Sequence, residues 1–283
     1  MRHFISLTDI SSDELWEIFS LADDIEKYAN ALRGRSVVMF FPSGSIRTRV
    51  TFEKGVHLLG GQSILFPPEA LDKREAACDV AGYLSNWADC IIVRHDSLAL
   101  IDELAAHSRV PIINAMTREN HPCEVLCDLY ALSKLRGDFR QLQFTFVGAD
   151  GNIGRAWREA AQAFGLRLRQ CCPESSQYAM DGVEVVHDLN LAMRGTDVVL
   201  TDSLSSDAVD DFAPFRVTAA AMREANSGAV LNPCPPFFRG EEVAEDAIAS
   251  EHFVGYEFKR ALLTVQQALM VFLTAKLGAL RTD

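Results

Sequence analysis

Short apolar runs alternate with segments of helical periodicity along the chain, and this alternation restricts the fold more than any other feature of the sequence. Residues 37–41, 63–66, 90–93 and 111–114 read as buried strands in the first half, and residues 143–147, 166–170, 183–186, 197–200 and 229–231 in the second. Helices are expected over 46–59, 74–86, 98–106, 121–135 and 153–164. An opening helix is capped by Ser11 or Ser12 and carries Leu15, Ile18, Phe19, Ala22 and Ile25 at helical spacing. Strands that alternate with helices build parallel open sheets, because each parallel neighbour requires a crossover. A polar break, Arg136-Gly137-Asp138-Phe139-Arg140, divides the pattern, and 283 residues suit two domains. The expected fold is α/β, with two open parallel sheets flanked by helices and joined by long interdomain helices. The domains are residues 1–135 and 141–256. A terminal helix within residues 257–283, apolar on one face, is long enough at about 1.5 Å per residue to return to the first domain.

Open α/β sheets bind ligands beyond the carboxyl ends of their strands. Chemistry is therefore expected in the loops after Phe41, Val93, Asn114, Val147, Leu200 and Leu231. The net charge of −12 disfavours nucleic acid and anionic membrane as partners. An anionic small substrate would need a local basic pocket. No apolar stretch reaches the ~18 residues of a membrane span, and the first residues lack the basic-then-apolar order of a signal peptide. The seven cysteines, odd in number and irregular in spacing, read as reduced thiols in a cytoplasmic enzyme.

Phe41-Pro42-Ser43-Gly44-Ser45-Ile46-Arg47-Thr48-Arg49 joins a strand to a helix. A helix start offers unpaired N–H groups and the positive end of the dipole. Ser45 and Thr48 add hydroxyls and Arg47 a planar cation, which suits an anion site without a Walker lysine. A capped helix with a surface arginine pair is the plainer reading of the same residues. Val93-Arg94-His95 and His121-Pro122-Cys123-Glu124 also fall at strand ends, and Pro122 in the first helical turn places His121 at the cap. His121, Cys123 and Cys127 do not make a metal set, since no fourth ligand has suitable spacing. Gly148, Gly151 and Gly154 would suit a dinucleotide turn, but no clear ribose-binding acid closes the next strand.

Ser45-Ile46-Arg47-Thr48-Arg49 with Phe52-Glu53 resembles the S-T-R-T-R-x-x-F-E signature of the aspartate/ornithine transcarbamoylase family. His121-Pro122-Cys123-Glu124-Val125-Leu126-Cys127-Asp128-Leu129 resembles that family's H-P-x-Q-x-L-x-D-L. The resemblance covers nearly the whole chain and is strongest in the first domain. It implies transfer of the carbamoyl group of carbamoyl phosphate to an amine of an amino acid or related acceptor. Phosphate would leave, the domains would close over the reactants, and neither metal nor organic cofactor would be required.

Residue by residue, the resemblance implies that Ser45, Ile46, Arg47 and Thr48 hold carbamoyl phosphate and that Thr48, Arg94 and His121 surround its carbonyl oxygen. The catalytic set is Arg47, Thr48, Arg94 and His121. Glu124 and Cys234 would meet the carbamoyl NH₂. Lys73 matches a lysine that enters the neighbouring subunit's site, which implies a homotrimer or a multiple of trimers. Arg155 matches an arginine on the acceptor carboxylate, and Asn232-Pro233-Cys234-Pro235 resembles the late H-C-L-P or H-P-L-P loop, which places Asn232 and Pro233 at the acceptor. Ile46 stands for threonine, Glu124 for glutamine and Asn232 for histidine; these departures leave a non-catalytic binding or regulatory relative as the second reading. Asp202-Ser203-Leu204-Ser205-Ser206-Asp207 carries neither the D-x-x-x-S-M-G of ornithine enzymes nor the R-x-Q of aspartate enzymes, so the acceptor is not readable.

Overall fold

The computed structural model describes residues 1–177 and 182–280, the last five by backbone alone. The end of the expected terminal segment, residues 281–283, lies outside the described residues. The chain divides into two compact units: Met1–Ala131 with the stretch from Arg260 onward, and Leu132–Lys259.

In the first unit β1 (Ser36–Phe40), β2 (Gln62–Phe66), β3 (Cys90–Arg94) and β4 (Ile112–Met116) form one sheet in the order β2-β1-β3-β4, every pair parallel. Its crossovers are α2 (Ile46–Leu58), α3 (Ala77–Leu84) and α4 (Leu98–His107). Right-handed crossovers that step out from β1 and then return across it place their helices on opposite faces. On one face Val38, Phe40, Ile91 and Val93 pack with Ala77 and Ala81 of α3 and with Leu98, Ile101 and Leu104 of α4. On the other, α2 meets α11 (Ala261–Leu280), which also packs on α1 (Ser12–Asp23). The first helix starts at a capping box: Ser11 Oγ accepts from the Glu14 N–H, and Glu14 accepts from the Ser11 N–H.

Residues 265–274 of α11 are all buried, so this helix does not follow the single apolar face expected of it. Helices α1 and α2 both pack on it, and Gly55 of α2 makes close approach feasible. A Cβ at Gly55 would stand 3.1 Å from Gln267 Cγ and 3.3 Å from Met270 Cε. The other departure concerns α3, which begins at Ala77 rather than Arg74. Residues 72–76 are exposed, and Ala76 is extended (φ −66°, ψ 140°). The helix begins only where a side chain has a core to enter.

The second unit holds β5 (Gln143–Val147), β6 (Arg167–Cys171), β7 (Glu184–Val186), β8 (Val198–Thr201) and β9 (Val230–Pro233) in the order β7-β6-β5-β8-β9, again all parallel. The boundary between the units falls inside α5 (Pro122–Arg136). Trp157 of α6 (Asn152–Phe164) lies 5.5 Å from the Phe144 ring of β5. The other core is built by Val147, Val199 and Leu231 with short helices α7 (Leu189–Met193), α8 (Val209–Phe212), α9 (Ala219–Met222) and α10 (Glu245–Ile248). Strand β9 runs two residues past the expected 229–231, so Asn232 and Pro233 are strand residues and not loop. Proline is tolerated there because β9 ends the sheet order and Pro233 pairs only with Thr201.

The glycines after β5 have a packing explanation. A Cβ on Gly148 would lie 2.9 Å from two atoms of the buried Phe146 ring, and one on Gly154 would lie 3.0 Å from it. Overpacking of this kind costs about 1–3 kcal/mol. Gly148→Ala is therefore expected to lower stability by about 2 kcal/mol in chemical denaturation, and Phe146→Leu should relieve part of that loss. Full stability in Gly148→Ala would show that the ring does not dictate the glycine.

Candidate active site

The first sheet reverses its direction of growth between β1 and β3, and ligand crevices form beyond the carboxyl ends at such a point. The loops leaving these two strands carry the expected anion site. Ser45 is the N-cap residue of α2, yet its hydroxyl makes no cap bond and instead accepts from Arg94 Nη1 at 3.0 Å. Ser45 and Thr48 are buried, whereas Arg47 is exposed. Arg94 is half-buried, and its ordinary proton affinity is lowered first by that burial and then by Arg47, while Asp96 and Glu124 act in the opposite sense. Ser45, Arg47, Arg94 and Glu124 are thus brought together in the first unit. Ile46, 66 % exposed, points its side chain to solvent. Its N–H, expected to serve an anion, donates to Gly44 O at 2.9 Å. Arg49 is engaged with Glu53 at 3.4 Å, one helical turn on.

His121 is delivered by a closed turn. Thr117 N–H donates to Asn120 O at 2.8 Å, and Thr117 Oγ1 accepts the Asn120 N–H at 2.9 Å. The chain then passes through buried His121 into Pro122, the first residue of α5. Glu124 sits buried in the first turn of that helix, where the dipole favours a carboxylate. Cys123 donates its thiol to Asn114 O at 3.3 Å, and burial pushes its proton affinity well above the usual thiol range. Among the described residues no group of three or more His, Cys, Asp or Glu side chains is placed to hold a metal ion.

A cleft of about 500 Å³ opens beside Arg94. Its lining includes Glu69, Asp72, His95, Asp96 and Arg118, to which sequence reasoning assigned no role. His95 Nε2 lies 2.9 Å from Asp72 Oδ1, and Asp96 pairs with Arg118 at 2.7 Å on the surface. The one available signal was the place of His95, directly after Arg94 at a strand end. Lys73 follows Asp72 in the exposed segment 72–76.

In the second unit the sheet reverses between β5 and β8. A Cβ on Gly151, the N-cap of α6, would lie 3.7 Å from Asp202 Oδ2, so the turns after these strands adjoin. Arg155 lies in the first turns of α6 and pairs along its own helix with Glu159 at 3.0 Å. Asn232, Pro233 and Cys234 are buried at the end of β9, where the Cys234 N–H donates to Thr201 O at 3.0 Å. The second unit therefore carries Arg155 and Asn232 to Cys234 at the carboxyl ends of its strands.

Two parallel open sheets, the first with an arginine-bound helix start at its reversal point, match a known two-domain class. The carbamoyl-P binding domain of aspartate/ornithine carbamoyltransferases matches residues 2–134, and the Asp/Orn binding domain matches residues 140–273. The chain belongs to the aspartate/ornithine carbamoyltransferase family. It is 32 % identical to the ornithine carbamoyltransferase of Chromobacterium violaceum, over 96 % of this chain and 97 % of that one. It is 33 % identical to that of Methylococcus capsulatus, over 96 % and 98 %. Among solved structures, ornithine carbamoyltransferase from Burkholderia thailandensis aligns with a TM-score of 0.89 at 30 % identity over 96 % of this chain and 98 % of that one. The Pyrococcus furiosus enzyme aligns with a TM-score of 0.91 at 25 % identity, over 97 % of each chain. The chain is an enzyme of carbamoyl transfer, moving the carbamoyl group of carbamoyl phosphate to an amine acceptor in amino-acid metabolism.

A charge-assisted hydrogen bond contributes about 1.5–3 kcal/mol. Arg47→Ala is therefore expected to weaken inorganic phosphate and carbamoyl phosphate binding by about tenfold or more, measured as thermal stabilisation against ligand concentration. Arg49→Ala, which touches only the Glu53 pair, should bind both as the parent does. Equal binding by Arg47→Ala and parent would remove Arg47 from the cradle.

Proposed function

We propose that Ser45, Arg47 and Thr48 bind the phosphate of carbamoyl phosphate, with the Ile46 N–H joining them once it is released from Gly44 O, and that Thr48, Arg94 and His121 direct donors at its carbonyl oxygen. The observation that carries this reading is the Arg94–Ser45 hydrogen bond at 3.0 Å. It holds a guanidinium against the start of α2 with Arg47 close by, so two cations meet the positive end of a helix in a chain of net charge −12. Asp96 and Glu124 offset this charge only in part, and a bound anion would be favoured by the remainder. The acceptor amine attacks the carbonyl carbon, the new C–N bond forms, and the C–O bond to phosphate breaks. Negative charge gathers on the carbonyl oxygen as the amine adds, and each preorganised donor there contributes about 3–4 kcal/mol. The departing phosphate takes the proton released by the amine.

Glu124 replaces a neutral amide in this scheme. Its carboxylate accepts from the carbamoyl NH₂ while its charge is balanced by Arg94. Cys234 is assigned to the same NH₂. Arg155, Asn232 and Pro233 recognise the acceptor, an amino acid or related amine, and the Arg155–Glu159 pair would open to release the guanidinium. The enzyme works in the cytoplasm, consistent with seven free thiols of which six are buried. It works as a homotrimer or a multiple of one, with Lys73 completing the site of a neighbouring subunit.

Phosphate release from carbamoyl phosphate against a panel of amines, amino acids and diamines tests the activity. Acceptor-dependent release is expected, and the responding amine names the substrate class. Release no faster than spontaneous decay across the panel, with carbamoyl phosphate still bound, would favour the non-catalytic relative to which Ile46, Glu124 and Asn232 point. The shared site has a separate test. Mixed oligomers of Lys73→Ala and His121→Ala chains should regain activity, because some sites then hold both intact side chains. Confirmed mixed oligomers without activity would place Lys73 outside the site.

A further inference from the structure

Arg94 and His95 are consecutive, and each holds a different loop. Arg94 reaches back to Ser45 at the start of α2. His95 reaches Asp72, with Nε2 2.9 Å from Oδ1. The tautomer follows from the other nitrogen. Nδ1 accepts the Ser97 N–H at 3.0 Å, so the proton lies on Nε2 and is directed at the carboxylate. The backbone is held as well, since the His95 N–H donates to Met116 O at 3.1 Å. The two side chains differ in setting: that of His95 is 10 % exposed and that of Asp72 57 %. A fixed, buried ring therefore anchors a surface carboxylate.

What that carboxylate anchors is the segment 72–76. Leu71 before it and Ala77 after it are buried, and every residue between them is exposed. Asp72 is the first residue of the exposed run, and Lys73 is the next. The ends of the run are pinned by the core, and its side-chain tether is the bond to His95. Asp96, the other carboxylate next to the ring in sequence, is taken by Arg118 and does not compete for it.

We propose that His95, acting through Asp72, is the positioning residue that sets where Lys73 stands. This rests on the reading that Lys73 completes a neighbouring subunit's site. Both ring nitrogens are occupied, so His95 is not the base of the reaction. One peptide unit joins the residue that holds the phosphate cradle to the residue that holds the lysine segment. The end of β3 thereby sets the cradle of its own site and the lysine offered to a neighbouring one.

The test uses the full-length oligomer and two substitutions that separate the two nitrogens. In His95→Asn, the side-chain oxygen can still accept the Ser97 N–H but is too short to reach Asp72. In His95→Gln, the amide N–H reaches as far as Nε2 does. Trypsin cleaves after Lys73 and Arg74, and mass spectrometry of the native protein reports the rate. Cleavage there should rise about fivefold in His95→Asn and in Asp72→Ala, stay near the parent rate in His95→Gln, and rise no further in the double variant His95→Asn with Asp72→Ala. Carbamoyl phosphate affinity should fall by a similar factor in His95→Asn and recover in His95→Gln. An unchanged cleavage rate in His95→Asn, additive effects in the double variant, or equal acceleration at sites outside 72–76 would each overturn the proposal. If cleavage behaves as expected but neither His95→Asn nor Lys73→Ala alters affinity, the tether stands and the role of Lys73 falls.

Discussion

The strand order of the first sheet is the constraint on which the remainder of the site depends. A parallel sheet that grows outward from β1 to β2 and then returns to β3 must send its crossover helices to opposite faces. The loops after β1 and β3 consequently part beyond the strand ends, and the space they leave is bridged by one side chain. Arg94 spans it to reach Ser45, and in doing so takes that hydroxyl away from helix capping. The start of α2 gives up a cap worth about 1 kcal/mol and keeps its dipole available to an anion. The same geometry recurs between β5 and β8, where Gly151 approaches Asp202, so that this turn carries a carboxylate.

Charge then decides what each crevice suits. The chain as a whole is negative, so its basic cluster has to be local and held in place. Arg47 and Arg94 repel one another, and the burial of Arg94 sharpens that repulsion; Asp96 and Glu124 offset it in part. Glu124 is thus an electrostatic partner of the cluster as well as a replacement for an amide. A glutamine at this position would leave the two arginines more dependent on a bound anion. The departure from the family pattern at 124 therefore alters the resting balance of charge, whichever acceptor the enzyme uses.

Much of the architecture was legible because its signals are local. Short apolar runs marked the strands, and period-3.6 patterning marked the major helices, to within a few residues. The Ser11–Glu14 capping box and the His121-Pro122 helix start were readable from adjacent residues alone. The errors have physical causes. Helix α3 was begun too early because Arg74 and Glu75 are good helix formers, and propensity yields to the absence of anything to bury. Strand β9 was ended too early because residues 232–235 were assigned to a loop by resemblance, and the place of β9 at the end of the sheet order makes Pro233 admissible in it. Helix α11 was expected to have one apolar face, whereas even its polar residues Gln266 and Gln267 are buried where neighbouring helices pack on it. The glycines after β5 were read as no nucleotide turn for want of a ribose-binding acid, and the ring of Phe146 accounts for two of them.

By itself the sequence determined the class of fold, the division into two halves and the motifs that mark the family. These depend on periodicity and on motifs whose members lie within one strand–turn–helix unit. Only the tertiary structure decided which of those residues meet: that Arg94 holds Ser45, that the Ile46 N–H is spent on Gly44, that Arg155 lies along Glu159, and that His95 anchors Asp72. Ser45 and Arg94 are 49 residues apart, and Asp72 and His95 are 23 apart. Contacts of that separation are set by strand order and register, which no local pattern encodes. They arise when a whole sheet closes over its core and fixes the ends of its strands.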